Sequence, residues 1–214
     1  QLDAALADVD VVIHAASRPF TNGHAVDVLG TERLIQQART AGVQHLIYPS
    51  IVGIDRIPFA YYRQKLAAEE RIEVGGIPWS ILRATQFHSL IDRTLRSAAW
   101  SPIILLPTDF QFQPVDPVEV ATRLVQSIAS GPQGRLPELA GPEVLRLGDL
   151  AQVWLEVRQL RRWVVRLPLP GRVAASFRRG DNTSLRAERG KVTWKQWLGR
   201  HWLPHSRRLD SPSL

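Results

Sequence analysis

The 214 residues predict an α/β fold built on a doubly wound parallel sheet with a smaller α/β portion toward the C terminus. Three observations lead there. Short apolar, β-branched runs recur along the first half of the chain. Segments of helical length with apolar spacing stand between them. The connections are short, as strand–helix–strand units require.

Val9-Asp10-Val11-Val12-Ile13-His14-Ala15 reads as the first buried strand. A helix follows over about Gly23–Ala41, with Val28, Leu34, Ile35 and Ala38 on its inner face and Gly42 as its stop. His45-Leu46-Ile47-Tyr48 is the second strand, ending at Pro49-Ser50. A loop to Pro58 leads into a helix over about Phe59–Val74, stopped by Gly75-Gly76. Trp79-Ser80-Ile81-Leu82 is the third strand and His88–Ala99 the next helix.

The second half is less regular. Ile103–Leu106 and Phe110–Val115 read as short strands. Asp116-Pro117-Val118-Glu119 predicts a helix start, with a capping aspartate, proline at the first position and glutamate at the third; the helix runs to about Ser130. Leu136–Ala140 and Val144–Leu147 are extended, a helix covers about Asp149–Leu160, and Trp163–Leu167 is a strand. Helical pieces near Gly171–Arg179 and Thr193–Trp202 precede a polar stretch, Ser206–Leu214, expected to fray.

Composition narrows the function. Zero cysteines exclude disulfides, thiol catalysis and thiolate metal sites. No apolar run approaches the ~20 residues of a membrane span, and no signal peptide is visible, so a cytoplasmic protein is expected. Residues 1–157 carry 13 Lys+Arg against 17 Asp+Glu, whereas residues 158–214 carry 14 against 3. No recognition motif accompanies that basic excess, so the expected partner is a small-molecule substrate and not nucleic acid. No oligomeric state follows from the sequence. His14 and His88 are lone histidines, no two histidines stand at metal-ligand spacing, and no Gly-x-Ser-x-Gly elbow surrounds Ser50. The chain begins at Gln1 and contains no methionine, which reads as a piece of a longer reading frame.

Tyr61 and Lys65 carry the chemistry. With three tyrosines and three lysines in the chain, a chance pair at this spacing is rare. Four residues apart on a helix, they share one face. Free tyrosine has a pKa near 10, too high for a base at neutral pH, and a nearby ammonium favours the phenolate. A tyrosine so tuned protonates a carbonyl oxygen as hydride arrives.

The order of these features resembles the atypical short-chain dehydrogenase/reductases, in the NmrA-like, NAD(P)H-binding branch, with a Rossmann-like sheet. The residues that carry the resemblance are Ala15-Ala16-Ser17 after the first strand, Ser50 after the second, Tyr61-Tyr62-Arg63-Gln64-Lys65-Leu66-Ala67-Ala68-Glu69, and Leu82-Arg83-Ala84-Thr85-Gln86-Phe87. Pro114-Val115-Asp116, Ala140-Gly141-Pro142-Glu143 and Gly190-x-x-Thr193-Trp194-x-x-Trp197-Leu198 are also similar. The resemblance implies Tyr61, Lys65 and Ser50 as catalytic residues. It implies Ala15, Ala16, Ser17, Ser50, Lys65, Ala84, Thr85, Gln86 and Phe87 as the lining for NADP or NAD, with Lys65 on the nicotinamide ribose. Ile51 and Val52 stand where active members often carry a hydroxyl.

One part of the family pattern is absent. Members open with a strand, a Gly-x-x-Gly-x-x-Gly turn and a helix, whose backbone amides cradle the pyrophosphate. Gly23, Gly30 and Gly53 do not form that turn, and Gly75-Gly76 follows a helix instead of opening one. The expected organisation is an N-terminally truncated Rossmann-like core over 1–110, a substrate-side portion over 111–205 interleaved with it, and a tail over 206–214. The expected function is NAD(P)H-dependent reduction of a carbonyl-type substrate. Two alternatives stay open: a non-catalytic NAD(P)H-sensing regulator or assembly factor, and a sugar-nucleotide epimerase or dehydratase.

Overall fold

The computed structural model describes residues 2–18 and 24–202; Gly23 and the predicted tail lie outside the described residues. A short turn of helix α1 (Leu2–Ala5) leads to β1 (Val11–Ile13), α2 (Gly30–Thr40), β2 (His45–Ile51), α3 (Ala60–Val74), β3 (Trp79–Ala84) and α4 (His88–Ala98). The second half runs β4 (Ile103–Leu106), β5 (Gln111–Phe112), α5 (Pro117–Ser130), β6 (Gly134–Arg135), β7 (Leu139–Ala140), β8 (Leu145–Arg146), α6 (Leu147–Val157), β9 (Trp163–Arg166), α7 (Arg172–Arg179), β10 (Glu188–Arg189) and α8 (Trp194–His201).

The main sheet is parallel, in the order β1-β2-β3-β7-β10, with β6 also beside β3. Val12 lies opposite Leu46, and Tyr48 opposite Ile81. Side chains alternate between the two faces of a strand, and both faces are covered. Leu46, Tyr48 and Ile81 pack against Leu34, Ile35 and Ala38 of α2 and Ala68 and Ile72 of α3. Ile47, Leu82 and Ala84 pack on the other face against Val120 and Leu124 of α5. This double cover explains why the strands read as continuous apolar runs.

A second core belongs to the C-terminal half. Ile104 and Leu106 join Leu150, Trp154, Trp194 and Trp197, so these tryptophans are core. β4 pairs with β9 in parallel and β5 with β8 antiparallel. The predicted strand over Phe110–Val115 is shorter in the structure, since the chain turns after Phe112 and Val115 bridges to Phe87 instead. Asp92 ties this core together. Its buried carboxylate accepts from Trp154 Nε1 at 2.7 Å and Arg158 at 2.6 Å.

Helix ends follow local chemistry. The Asp116 side chain accepts from Val118 N–H at 3.0 Å, with Pro117 at the first position. Glu119 accepts instead from Lys191 N–H at 2.6 Å, which fastens the C-terminal strand to α5. α2 closes with Val43 N–H on Ala38 O and Gly42 N–H on Arg39 O, and Gly42 takes φ +79°. The helix predicted ahead of α2 begins as a wide π-type turn over His24–Leu29. Such a turn shifts the register by one residue, and here Asp27 is fully buried. Gly53 holds φ +82°, and a Cβ there would stand 2.2 Å from the Asp181 carbonyl oxygen, so only glycine lets the loop after β2 meet the C-terminal half.

Candidate functional site

In a parallel sheet the loops at the carboxyl ends of the strands gather at one edge. Ala15-Ala16-Ser17 leaves β1 there, Ser50 ends β2, and Thr85-Gln86-Phe87 leaves β3. α3 begins at that edge, because it carries the chain back from the end of β2. Tyr61, its second residue, therefore stands over the same edge, and Lys65 lies one turn deeper.

The Tyr61 hydroxyl is 2.7 Å from Ser17 Oγ. Ser17 Oγ donates to Asp27 Oδ1 at 2.6 Å, and Arg18 N–H donates to the other carboxylate oxygen at 3.0 Å. The serine proton is committed to Asp27, so Tyr61 is the donor to Ser17. Thr31 donates to the Asp27 carbonyl at 2.7 Å and meets His14 Nε2 at 2.8 Å. The result is a file of polar side chains running from an accessible phenol into the core. Burial pushes the Tyr61 phenol above its ordinary value; the Ser17 hydrogen bond draws it down and Asp27 pushes it up. The net direction is opposite to the one expected from a neighbouring lysine.

Lys65 is engaged elsewhere. Its Nζ donates to the Pro49 carbonyl at 2.9 Å and lies 3.9 Å from the centre of the Tyr48 ring. Only 4% of the residue is exposed, an unusual state for a lysine. Burial lowers its pKa to about 8, against the support of Asp27 and Glu69. His14 falls to about 4, from burial first and the Lys65 charge second. The buried Ser50 hydroxyl has no partner in hydrogen-bond geometry, although it faces the Glu69 carboxylate. Burial raises the Glu69 pKa, but Arg83, Ser50 and Arg135 outweigh it and hold the group ionised. Arg83 meets Glu69 at 2.7 Å and Arg135 at 2.9 Å.

The residues after β3 divide. Ala84 is buried. Thr85 Oγ1 donates to Gln113 O at 2.5 Å and accepts from Gly141 N–H at 3.2 Å, which makes it a strut. Gln86 exchanges hydrogen bonds with Asn182, at 3.1 Å and 3.4 Å. Phe87 is partly exposed where α4 begins, while Ala15, Ala16 and Ser17 are open to solvent. Sequence reasoning missed Asp27 and Thr31, and took Glu69 only as part of the α3 motif with no role of its own. An aspartate and a threonine at i, i+4 on an otherwise apolar face were the available signal.

The nicotinamide end of a dinucleotide fits these residues. Small side chains leave the edge clear at Ala15 and Ala16, and a lysine stands beneath. No glycine-rich strand-to-helix turn is present among the described residues to receive the phosphates. Nor do the described residues contain a group of three or more metal-binding side chains, or a helix long and apolar enough to cross a membrane.

Comparison with known proteins agrees with this architecture. The NAD(P)H-binding family profile matches residues 1–96. The (4-alkanoyl-5-oxo-2,5-dihydrofuran-3-yl)methyl phosphate reductase of Streptomyces griseus subsp. griseus is 29% identical over 155 residues, covering 67% of this chain and 50% of that one. The mitochondrial NADH dehydrogenase (ubiquinone) 1 alpha subcomplex subunit 9 of Arabidopsis thaliana is 27% identical over 192 residues, covering 79% and 46%. The chain thus spans about half the length of the curated relatives it matches. Among solved structures, an NADPH-dependent quinone oxidoreductase of Escherichia coli, complexed with NADPH, superposes with a TM-score of 0.74 at 16% identity, over 94% of this chain and 79% of that one. A nucleoside-diphosphate-sugar epimerase of Staphylococcus aureus gives 0.71 at 16% identity, over 92% and 79%. At such identity these likenesses speak to the fold. Fold and profile together point to an NAD(P)H-binding α/β domain over the first half of the chain. Residues 1–96 of the chain are thus similar to NAD(P)H-binding domains, and its fold is that of the NAD(P)-binding structures it superposes on.

Proposed function

We propose that the protein, in the NmrA-like branch of its family, reduces a carbonyl-type small molecule with NADPH or NADH, and that Tyr61 supplies the proton. The observation that supports this reading is the contact of the Tyr61 and Ser17 hydroxyls at the carboxyl edge, with Lys65 one turn deeper on the same helix. When bound there, the dinucleotide supplies a hydride. Tyr61 gives its proton to the carbonyl oxygen and regains one from solvent at the open carboxyl edge. Ser50 stands near the end of β2 as part of the lining. Lys65 holds the ribose side, its ammonium retained at neutral pH by Asp27 and Glu69. Ala15, Ala16, Ala84 and Phe87 line the binding edge, and Thr85 and Gln86 hold its shape. Assay of NADPH oxidation over a panel of aldehydes, ketones and quinones tests the reading, and it fails if no compound is reduced while the dinucleotide binds.

That failure would favour the second reading, a non-catalytic NAD(P)H-binding subunit. Two features support it: the raised Tyr61 phenol, and apolar Ile51 and Val52 directly after Ser50. In that case the dinucleotide shifts stability or assembly and no substrate turns over.

A further inference from the structure

A cleft of about 410 Å³ opens between the loop after β2, α3 and α7, and its lining includes none of Tyr61, Lys65, Ser17 or Ser50. Arg63 stands about 200° around α3 from Tyr61, on the opposite side of the helix. Four arginines line the cleft: Arg56 from the loop, Arg63 from α3, and Arg172 and Arg179 from α7. All four are exposed, over a floor that includes buried Ile54 and Ile57.

The local charges do not cancel. Asp55, the one carboxylate in the lining, turns to Arg83 at 3.5 Å. Arg179 meets Asp181 at 2.6 Å and Ser176 at 3.1 Å. Arg56, Arg63 and Arg172 have no carboxylate partner among the described residues. Three separate elements thus bring free guanidiniums to one concave wall, where they repel one another until an anion arrives. Guanidinium forks match phosphate oxygens in geometry as well as in charge. Concavity, an apolar floor and a volume within the ~300–1,000 Å³ of small-molecule sites favour a compact ligand over a nucleic-acid backbone or a membrane.

We propose that this cleft binds the phosphate group of a small organic phosphate ester or diphosphate, through Arg56, Arg63 and Arg172, with the organic part over Ile54 and Ile57. The proposal does not require the reductase reading: none of the residues it uses is assigned to the reaction or to the dinucleotide, although Ile54 and Ile57 pack in one cluster with Tyr61.

Titration calorimetry of the 214-residue chain with phenyl phosphate and with pyrophosphate tests it. Two double variants lose equal charge: Arg63→Gln with Arg172→Gln in the cleft, and Arg33→Gln with Arg93→Gln on α2 and α4. The expected result is saturable one-to-one binding, weakened about a hundredfold by the first pair through loss of two charged donors and unchanged by the second. Equal weakening by both pairs, or no saturable binding by the parent, overturns the proposal. Binding of a DNA duplex or phosphatidylserine vesicles that depends on Arg63 and Arg172, and that neither small phosphate displaces, also overturns it.

Discussion

The hydroxyls of Ser17 and Tyr61 stand 2.7 Å apart, although 44 residues separate them in the chain. The wide turn at His24–Leu29 brings Asp27 beneath Ser17, and the serine then passes the aspartate's influence to the phenol. Burial pushes all three tyrosines up, Tyr48 far up and Tyr62 to about 12, and at Tyr61 the Ser17 hydrogen bond opposes the rise. Tyr61 is the one phenol of the three that is not buried, so it is the first that base reaches. Asp27→Asn removes a charge that opposes the phenolate, so the first phase of an ultraviolet titration should move to lower pH. A first phase that stays in place or moves upward contradicts the link.

Stability should fall in mild acid. His14 and His88 titrate near 4 in the folded protein, chiefly because burial disfavours their charged forms. The unfolded chain binds those protons near 6.5. Between about pH 6.5 and 4 the unfolded state holds more protons, so stability falls as pH falls through that window. Thermal melts across it should show the decline, and His14→Gln should flatten the slope. Lys65 acts at the other end: with a folded pKa near 8 against an unfolded ~10.4, stability gains from this group as pH rises from about 8.

Asp92 should be costly to neutralise. Its side chain takes bonds from Trp154 and Arg158 in the C-terminal core, and from Arg96 at 2.8 Å. Asp92→Asn leaves the buried Arg158 guanidinium unpaired, and breaking a buried pair costs about 3–5 kcal/mol. Urea unfolding should show a loss of that order; a change under about 1 kcal/mol contradicts it.

The sheet was legible because its strands are buried on both faces and so read as apolar runs. α5 was legible from Asp116-Pro117 and α3 from the glycines that stop it. The β4–β9 pairing joins Ile103–Leu106 to Trp163–Arg166, about 60 residues on, and no local pattern signals such a partner. Tyr61, Lys65 and Ser50 were legible as residue types at family spacings. Asp27 was not, because an aspartate in an amphipathic helix ordinarily faces water and only the π-type turn buries it. Nor was the engagement of Lys65 with Pro49, which depends on how deep α3 sits against β2.

The cofactor prediction follows from the missing phosphate cradle. The 214-residue chain should bind NADPH weakly, because its sequence holds no glycine turn to present backbone amides. Adding a strand, glycine-rich turn and helix ahead of residue 1 should restore binding. Fluorescence titration of both forms checks this, and tight binding by the 214-residue chain would place the phosphates elsewhere.

The central claim is that Tyr61 is the proton donor in a reduction. In a form that binds NADPH and reduces a carbonyl compound, Tyr61→Phe removes only the hydroxyl. The account predicts a fall in turnover of about 100- to 10,000-fold, the usual worth of a general acid, with NADPH affinity nearly unchanged. Lys65→Ala should lower both. The direct measurement is single-turnover NADPH oxidation by the Tyr61→Phe variant at saturating dinucleotide: a slow decay with parental affinity is the predicted result, and a parental rate would contradict the assignment.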